Sequence, residues 1–349
     1  MTRIRDSGNV TVRDVAKLAG LSTATVSRAL SRPDMVRPGT RERIHRAIEQ
    51  LDYVSNGIAR ALTTRRTHTI GVIIPTLNNA IYAVSTHSMQ KTLEQDGYTL
   101  LLACHEFDLA AETRMLRAFT SRGVDALVLV GTQHNAETRK LLLNLGLPCV
   151  FTWAIDRTRR HASVGFDNRA AGRMIAEHLL QLGHKRIGMV SGVLADNDRA
   201  RDRMLGVQAA LERAGLALPP ERVVQATYSL ESGREGLAEL LRTQRVTAVV
   251  CGNDVLAIGA IQEAQRMGLN VPGDLSVTGF DDMEFATVVT PALTTVRFPI
   301  VDIGVQAARH IIERLDGKAG PRCIELPLEL AIRQSAAAPG ENIPESRPW

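Results

Sequence analysis

No apolar run in these 349 residues approaches the roughly 18 consecutive positions needed to span a membrane, so an integral membrane protein is not expected. The opening Met1-Thr2-Arg3-Ile4-Arg5-Asp6 leads into no apolar segment and no small-residue cleavage site. A secretory signal is therefore not expected, and the reading is a cytoplasmic protein. The 4 cysteines, Cys104, Cys149, Cys251 and Cys323, lie far apart without a Cys-x-x-Cys pair. They read as small buried hydrophobes rather than as a zinc site or a disulfide framework. Gly-x-Gly-x-x-Gly, the P-loop, Gly-x-Ser-x-Gly and His-Glu-x-x-His are all missing, and the 9 histidines are scattered. With none of these phosphate-cradling, nucleophilic or metal-binding patterns, neither an enzyme nor a bound cofactor or metal is expected.

Positive charge, by contrast, is concentrated. The chain carries a net +5, but residues 1–68 alone hold 13 Lys+Arg against 6 Asp+Glu, whereas the other 281 residues hold 29 against 31. A compact basic module on a nearly neutral body points to a polyanion, with DNA the first candidate. A basic disordered tail would give the same charge balance, but its pattern would differ. Thr11 can cap a helix whose first turn carries Asp14. Val12, Val15, Ala16 and Ala19 then recur at helical spacing, and Gly20 stops the helix. Ser22 caps a second helix with Val26, Ala29 and Leu30 inward. A third follows Pro38 with Ile44, Ala47, Ile48 and Leu51 inward. Two short helices joined by a three-residue turn containing Gly make a helix-turn-helix.

From about residue 69 the texture changes. Short β-branched runs (70–75, 98–103, 126–130, 149–151, 186–190, 223–225, 248–251 and 275–279) alternate with helix-length stretches, one of them near 168–182. Strands separated by helices of 10–15 residues make parallel sheets covered on both faces. Eight strands in two groups of four predict two α/β lobes. The stretch after Gly340 is polar and proline-bearing and reads as disordered.

Thr11-Val12-Arg13-Asp14-Val15-Ala16-Lys17-Leu18-Ala19-Gly20-Leu21-Ser22-Thr23-Ala24-Thr25-Val26-Ser27-Arg28-Ala29-Leu30 closely resembles the opening of LacI/GalR-family transcriptional regulators. So do 40–44, Tyr53 with Asn56, 59–62, 183–188, Asn253-Asp254, Gly279-Phe280-Asp281-Asp282 and 293–296. The resemblance runs from about residue 10 to 335. It implies an all-α helix-turn-helix head on a two-lobed core similar to periplasmic sugar-binding proteins, an α/β fold with parallel sheets. The domains it implies are a head at 1–55, a hinge helix and linker at 56–68, an effector-binding and dimerisation core at 69–338, and a disordered tail at 339–349. The N-lobe would take about 69–166 and 297–325, and the C-lobe about 167–296 and 326–338. Ligand is expected outside the carboxyl ends of the strands.

In such a head, residues near the front of the second helix reach base edges in the major groove. Here these are Thr23, Ala24 and Arg28. Arg28 suits bidentate donation to guanine, and a phosphate contact is the other reading. Thr25 and Ser27 fit phosphate contacts or capping, which fix register without reading sequence. Residues 56–63 make a helix of barely two turns, marginal in free solution, expected to fold on docking. In the family this hinge enters the minor groove, so Asn56, Ala59 and Leu62 are carried over as DNA contacts. Leu62 matches a leucine that wedges a base step; ordinary linker packing is its alternative. Ser55 stands where the family usually has proline, and Ser31 where asparagine is common.

Residue-by-residue matching to the family also implies the effector site. Arg203 matches a ligand-contacting arginine, while Asn197 and Arg199 align with positions that vary with effector. Asn253 and Asp281 match polar groups that hydrogen-bond ligand, and Tyr82, Trp153 and Tyr228 match wall positions. An interlobe ion pair of Arg203 with Asp281, a turn at Asn253, and core packing of the aromatics remain open. Two arginines that could share one carboxylate or phosphate, and Trp153 where neutral-sugar members often carry aspartate, tilt the effector toward a sugar acid such as gluconate or a phosphorylated sugar, with a neutral sugar as the alternative. Val164-Gly165-Phe166-Asp167-Asn168 resembles the gluconate-regulator branch. The function implied is a repressor binding a pseudo-palindromic double-stranded operator as a homodimer, with no membrane partner. No leucine heptad tail points to a tetramer. A cytosolic sugar-binding protein or sugar-active enzyme with no DNA role is the alternative.

Overall fold

The structure is a computed structural model that describes residues 10–31, 33–53, 66–158 and 160–340. Its elements are numbered below in chain order. The amino-terminal unit is built on α1 (Val12–Ala19), α2 (Thr23–Ser31) and α3 (Pro38–Leu51). Thr11 precedes α1, and the Asp14 carboxylate accepts from its backbone N–H at 2.9 Å and its hydroxyl at 2.7 Å. Gly20 ends α1 in the left-handed region at φ 62°, a conformation that costs glycine little. Ser22 Oγ accepts from the Thr25 N–H at 3.1 Å and so starts α2. Val15, Ala16, Ala19, Val26, Ile44 and Ala47 close a small core, with Ile48 and Leu51 packed at its edge. Arg43 reaches from α3 to the Ala19 carbonyl at 2.6 Å, which satisfies an orphan acceptor at the end of α1.

The second unit is two lobes, each around a six-stranded sheet. The N-lobe takes β1 (Thr69–Ile74), α4 (Ala80–Gln95), β2 (Thr99–Cys104), α5 (Leu109–Ser121), β3 (Ala126–Val130), α6 (Ala136–Leu145), β4 (Cys149–Thr152) and β5 (Ala162–Gly165). The C-lobe takes α7 (Asn168–Gln181), β6 (Ile187–Gly192), α8 (Asp198–Arg213), β7 (Val223–Ala226), α9 (Leu230–Thr243) and β8 (Ala248–Cys251). It continues with α10 (Asp254–Arg266), β9 (Ser276–Asp281), α11 (Phe285–Val288) and β10 (Thr294–Arg297). The chain then returns through α12 (Ile300–Leu315) to β11 (Cys323–Glu325) in the first sheet and ends with β12 (Glu329–Ala331) in the second. Sheet order is β11-β5-β4-β3-β1-β2 and β12-β10-β9-β8-β6-β7.

The paired strands run parallel wherever register is defined, except β12, which is antiparallel to β10. β3 and β8 are buried along their whole length, as strands covered on both faces by helices must be. Among the described residues, twelve strands thus stand where eight were expected from sequence. β5, β10, β11 and β12 have only three or four residues, too few to show a period, and pairing with longer neighbours holds them extended.

Candidate effector cleft and DNA-reading helix

On α2, Thr23, Ala24, Ser27 and Arg28 are exposed, Thr25 is half-buried and Val26 is buried. Spacings of one, four and five residues put the exposed four on one helical face. Thr25 instead shares its hydroxyl with Ser22 at 2.8 Å, so of its two readings the capping one has a visible partner. Asn56, Ala59 and Leu62, with the hinge helix they were assigned to, lie outside the described residues.

In the core, all eight effector candidates line one cavity. Parallel sheets make this convergence: in both lobes the carboxyl ends of the strands carry the loops that meet there. Trp153 follows β4, Tyr228 follows β7, and Asp281 is the last residue of β9. Tyr82 sits in the first turn of α4. Asn197 and Asn253 cap α8 and α10, accepting from the Ala200 N–H at 3.3 Å and the Leu256 N–H at 2.9 Å. Arg199 and Arg203, four residues apart, share one face of α8. That face is held close to α7 by two glycines. A Cβ on Gly172 would collide with the Arg203 carbonyl, and one on Gly206 with the Arg169 carbonyl. Trp153 and Asp281 have φ of 67° and 116°, a backbone cost that the surrounding packing holds in place.

Four lining residues were not anticipated: Asn79, Ile81, Phe166 and Phe298. The two phenylalanines stand where the chain passes between lobes, after β5 and after β10. Their ring centroids lie 4.2 Å apart at a tilt of 32°, and Phe280 stacks with Phe298 at 6.0 Å. The Arg203 guanidinium lies 5.5 Å and 5.8 Å from the Phe280 and Phe298 centroids, a cation–π setting. Phe166 was legible only as part of a longer resemblance, and nothing in the local pattern around Phe298 marked it.

The polar network separates the two arginines. Arg199 donates to the Asp198 carboxylate at 2.8 Å and is bonded to the Tyr82 side chain. Arg203 donates to Asn168 Oδ1 at 3.0 Å and the Tyr228 hydroxyl at 3.5 Å, not to Asp281. Its Nε, like Asn253 Nδ2, is buried without a hydrogen-bond partner. Asn168 Nδ2 in turn donates to the Trp153 carbonyl at 2.9 Å, which ties the N-lobe wall to Arg203. Asp167 orders this start of α7 by accepting from the N–H groups of Arg169 and Ala170.

Asp198 is a further functional residue the sequence did not mark. It accepts from the Thr132 N–H at 2.6 Å, the Thr132 hydroxyl at 2.8 Å and the Gln133 N–H at 3.2 Å, all just beyond β3 in the other lobe. Arg201 adds a bond to Gln133 at 2.8 Å. Burial alone would raise the Asp198 carboxyl, but Arg199 and the Thr132 donors outweigh it and hold it below the usual range. So latched, the lobes leave about 10 Å³ in the cavity, room for about one water. Asp281 behaves oppositely: burial, then the neighbouring Asp254, push it well above the ordinary carboxylate value, with Arg203 opposing. Asp254 is itself pushed up to about 7, chiefly by burial.

Residues 11–56 match the bacterial regulatory proteins of the lacI family, and residues 176–336 match the periplasmic binding protein-like domain. Catabolite control protein A of Priestia megaterium is 33% identical over 329 residues, 94% of this chain and 99% of that one. Among solved structures, the lac repressor dimer bound to operator and the anti-inducer ONPF superposes with a TM-score of 0.84 at 26% identity, covering 94% of this chain and 99% of that one. The transcription regulator GntR from Chromobacterium violaceum gives 0.71 at 32% identity, covering 77% and 99%. Head and core together define a class, the DNA-binding transcriptional regulators that join a helix-turn-helix to a two-lobed binding-protein-like core. Within that class, the chain belongs to the lacI family of bacterial regulatory proteins.

Proposed function

We propose that this regulator is a repressor that grips a pseudo-palindromic operator as a homodimer and is controlled by a gluconate-like sugar acid held in the cleft. Arg28, with Thr23 and Ala24, reads bases. Ser27 and Thr25 fix register, and Asn56, Ala59 and Leu62 serve the hinge contact. Tyr82, Trp153, Asn197, Arg199, Arg203, Tyr228, Asn253 and Asp281 form the effector site. Twofold symmetry in the protein is mirrored in the operator. The relative described as a lac repressor dimer on operator supports that arrangement.

The observation that carries the effector class is the unequal partnering of the two arginines. Arg199 has Asp198 as its counter-charge, whereas Arg203 is met only by neutral acceptors and keeps a buried Nε unpaired. Burial and the neighbouring Asp254 push Asp281 well above the ordinary carboxylate value, which weakens it as a counter-charge to Arg203, and a guanidinium so placed suits a monoanion. The unpaired Asn253 Nδ2 would donate to a hydroxyl oxygen of the same ligand, and the Asp281 carboxyl lines the same wall. Buried donors without acceptors are costly, so an oxygen-rich ligand relieves the wall that apolar ligands would not. Calorimetry with gluconate, glucose and 6-phosphogluconate tests the class: gluconate should bind most tightly, and tighter binding of glucose would refute a sugar acid. Gel shifts on the upstream DNA of the gene test the operator.

A further inference from the structure

The N-lobe strands have a second functional end. We propose that a pocket at the amino ends of β4 and β5 is a separate binding site for a small phosphorylated metabolite. The pocket encloses about 450 Å³, within the range of small-molecule sites. Cys149 and Ala162, the first residues of β4 and β5, form its floor, and the last turn of α12 with the following loop forms its side.

Its lining carries Arg160, Arg314, Lys318 and Arg322, and no carboxylate. Among the neighbouring acids, Asp316 pairs with Lys318 at 3.5 Å, Glu313 lies against Gly320, and Asp156 accepts from the His161 N–H at 3.0 Å. Several cations around one concavity attract an anion, and guanidinium forks match phosphate oxygens. Cations at the end of a helix also offset its dipole. That accounts for Arg314, but not for Arg160, which precedes β5.

His310 supplies an independent observation. It lines the same pocket, is only 2% exposed, and neither ring nitrogen has a hydrogen-bond partner. Buried polar groups are almost always satisfied, and a phosphate oxygen would accept from this imidazole. Burial and Arg314 lower its pKa, so it presents one N–H and no repelled charge of its own. Since β4 has Cys149 at this pocket and Trp153 just past its other end, occupant and effector sit about 13 Å apart along one strand.

The test uses the full-length protein, with glycerol 3-phosphate and inorganic phosphate as probes and glycerol and sodium chloride at matched ionic strength as controls. Calorimetry should detect both phosphates and neither control. Arg160→Glu combined with Arg314→Glu should weaken glycerol 3-phosphate at least tenfold while gluconate binding stays unchanged. Arg203→Ala should leave the phosphate site intact. Because Arg160 and Arg314 are exposed, the milder Arg160→Ala and Arg314→Ala pair gives a second, smaller loss in a folded protein. No binding by the unaltered protein would overturn the proposal, as would loss in Arg203→Ala but not in the charge-reversed protein. A random-sequence duplex that needs these arginines, with neither phosphate bound, would assign them to DNA instead.

Discussion

Arg28, in the last turn of α2, and Arg203, on α8, are both helix-borne arginines, yet their surroundings fit them for opposite tasks. Arg28 is exposed, able to extend both forks to a base. Arg203 is buried among Asn168, Tyr228 and two phenyl rings and is fixed in place. Arg28→Ala should cost about 1–3 kcal/mol of operator affinity and relax preference at one base per half-site. Anisotropy on a panel of single-base operator variants checks this, and uniform weakening would instead indicate a phosphate contact. A second residue-scale expectation concerns Asp254, pushed up to about 7 in the fold from 3.8. The folded state therefore binds this proton more tightly than the unfolded chain does. The associated stability is fully present below pH 3.8 and is lost as pH rises through about 7. Urea midpoints at pH 5 and 8 should differ less in Asp254→Asn than in the unaltered protein. Asp281, whose shift has the same sign, contributes to the remaining slope, and it is opposed by His105, His178, His184 and His310, whose burial lowers their values. An unchanged slope in Asp254→Asn would contradict the assignment.

At the scale of elements, what could be read in the sequence follows from length and periodicity. The three α-helices of the head were legible, though the short 3-10 turn Pro33–Met35 was not. Thr11, Gly20, Ser22 and Pro38 start or stop its helices where their local chemistry requires, and Val15, Val26 and Ile44 meet in its core. Long apolar strands such as β3 announced themselves. β10 and β12 did not, because Thr294–Arg297 and Glu329–Ala331 are extended through pairing with each other rather than through their own pattern. The site divides similarly. Its eight effector candidates were visible through resemblance, whereas Asp198 and Phe298 depend on which loops the two sheets bring together. The helix pair α7–α8 sets Arg203, and its spacing rests on Gly172 and Gly206. Gly206→Ala should destabilise the core by about 1–3 kcal/mol, read as a lowered urea midpoint. It should also weaken effector binding by displacing Arg203. Undiminished stability would mean the two helices can part without cost.

For the whole molecule, the two lobes are joined at the aromatic crossings and latched by Asp198 against Thr132, and the proposed function makes that pair of lobes a switch. An effector alters operator occupancy only through its differential affinity for two arrangements of the lobes, and a near-complete switch needs about 5.5 kcal/mol of difference. Contacts between the lobes, such as Asp198 with Thr132, contribute to that balance. The most direct test is operator anisotropy titrated with gluconate, for the unaltered protein and Arg203→Ala side by side. Sequence-specific, salt-sensitive binding whose affinity shifts at least tenfold with gluconate, and does not shift in Arg203→Ala, is the predicted result. Equal, weak retention of every duplex, with or without gluconate, would contradict it.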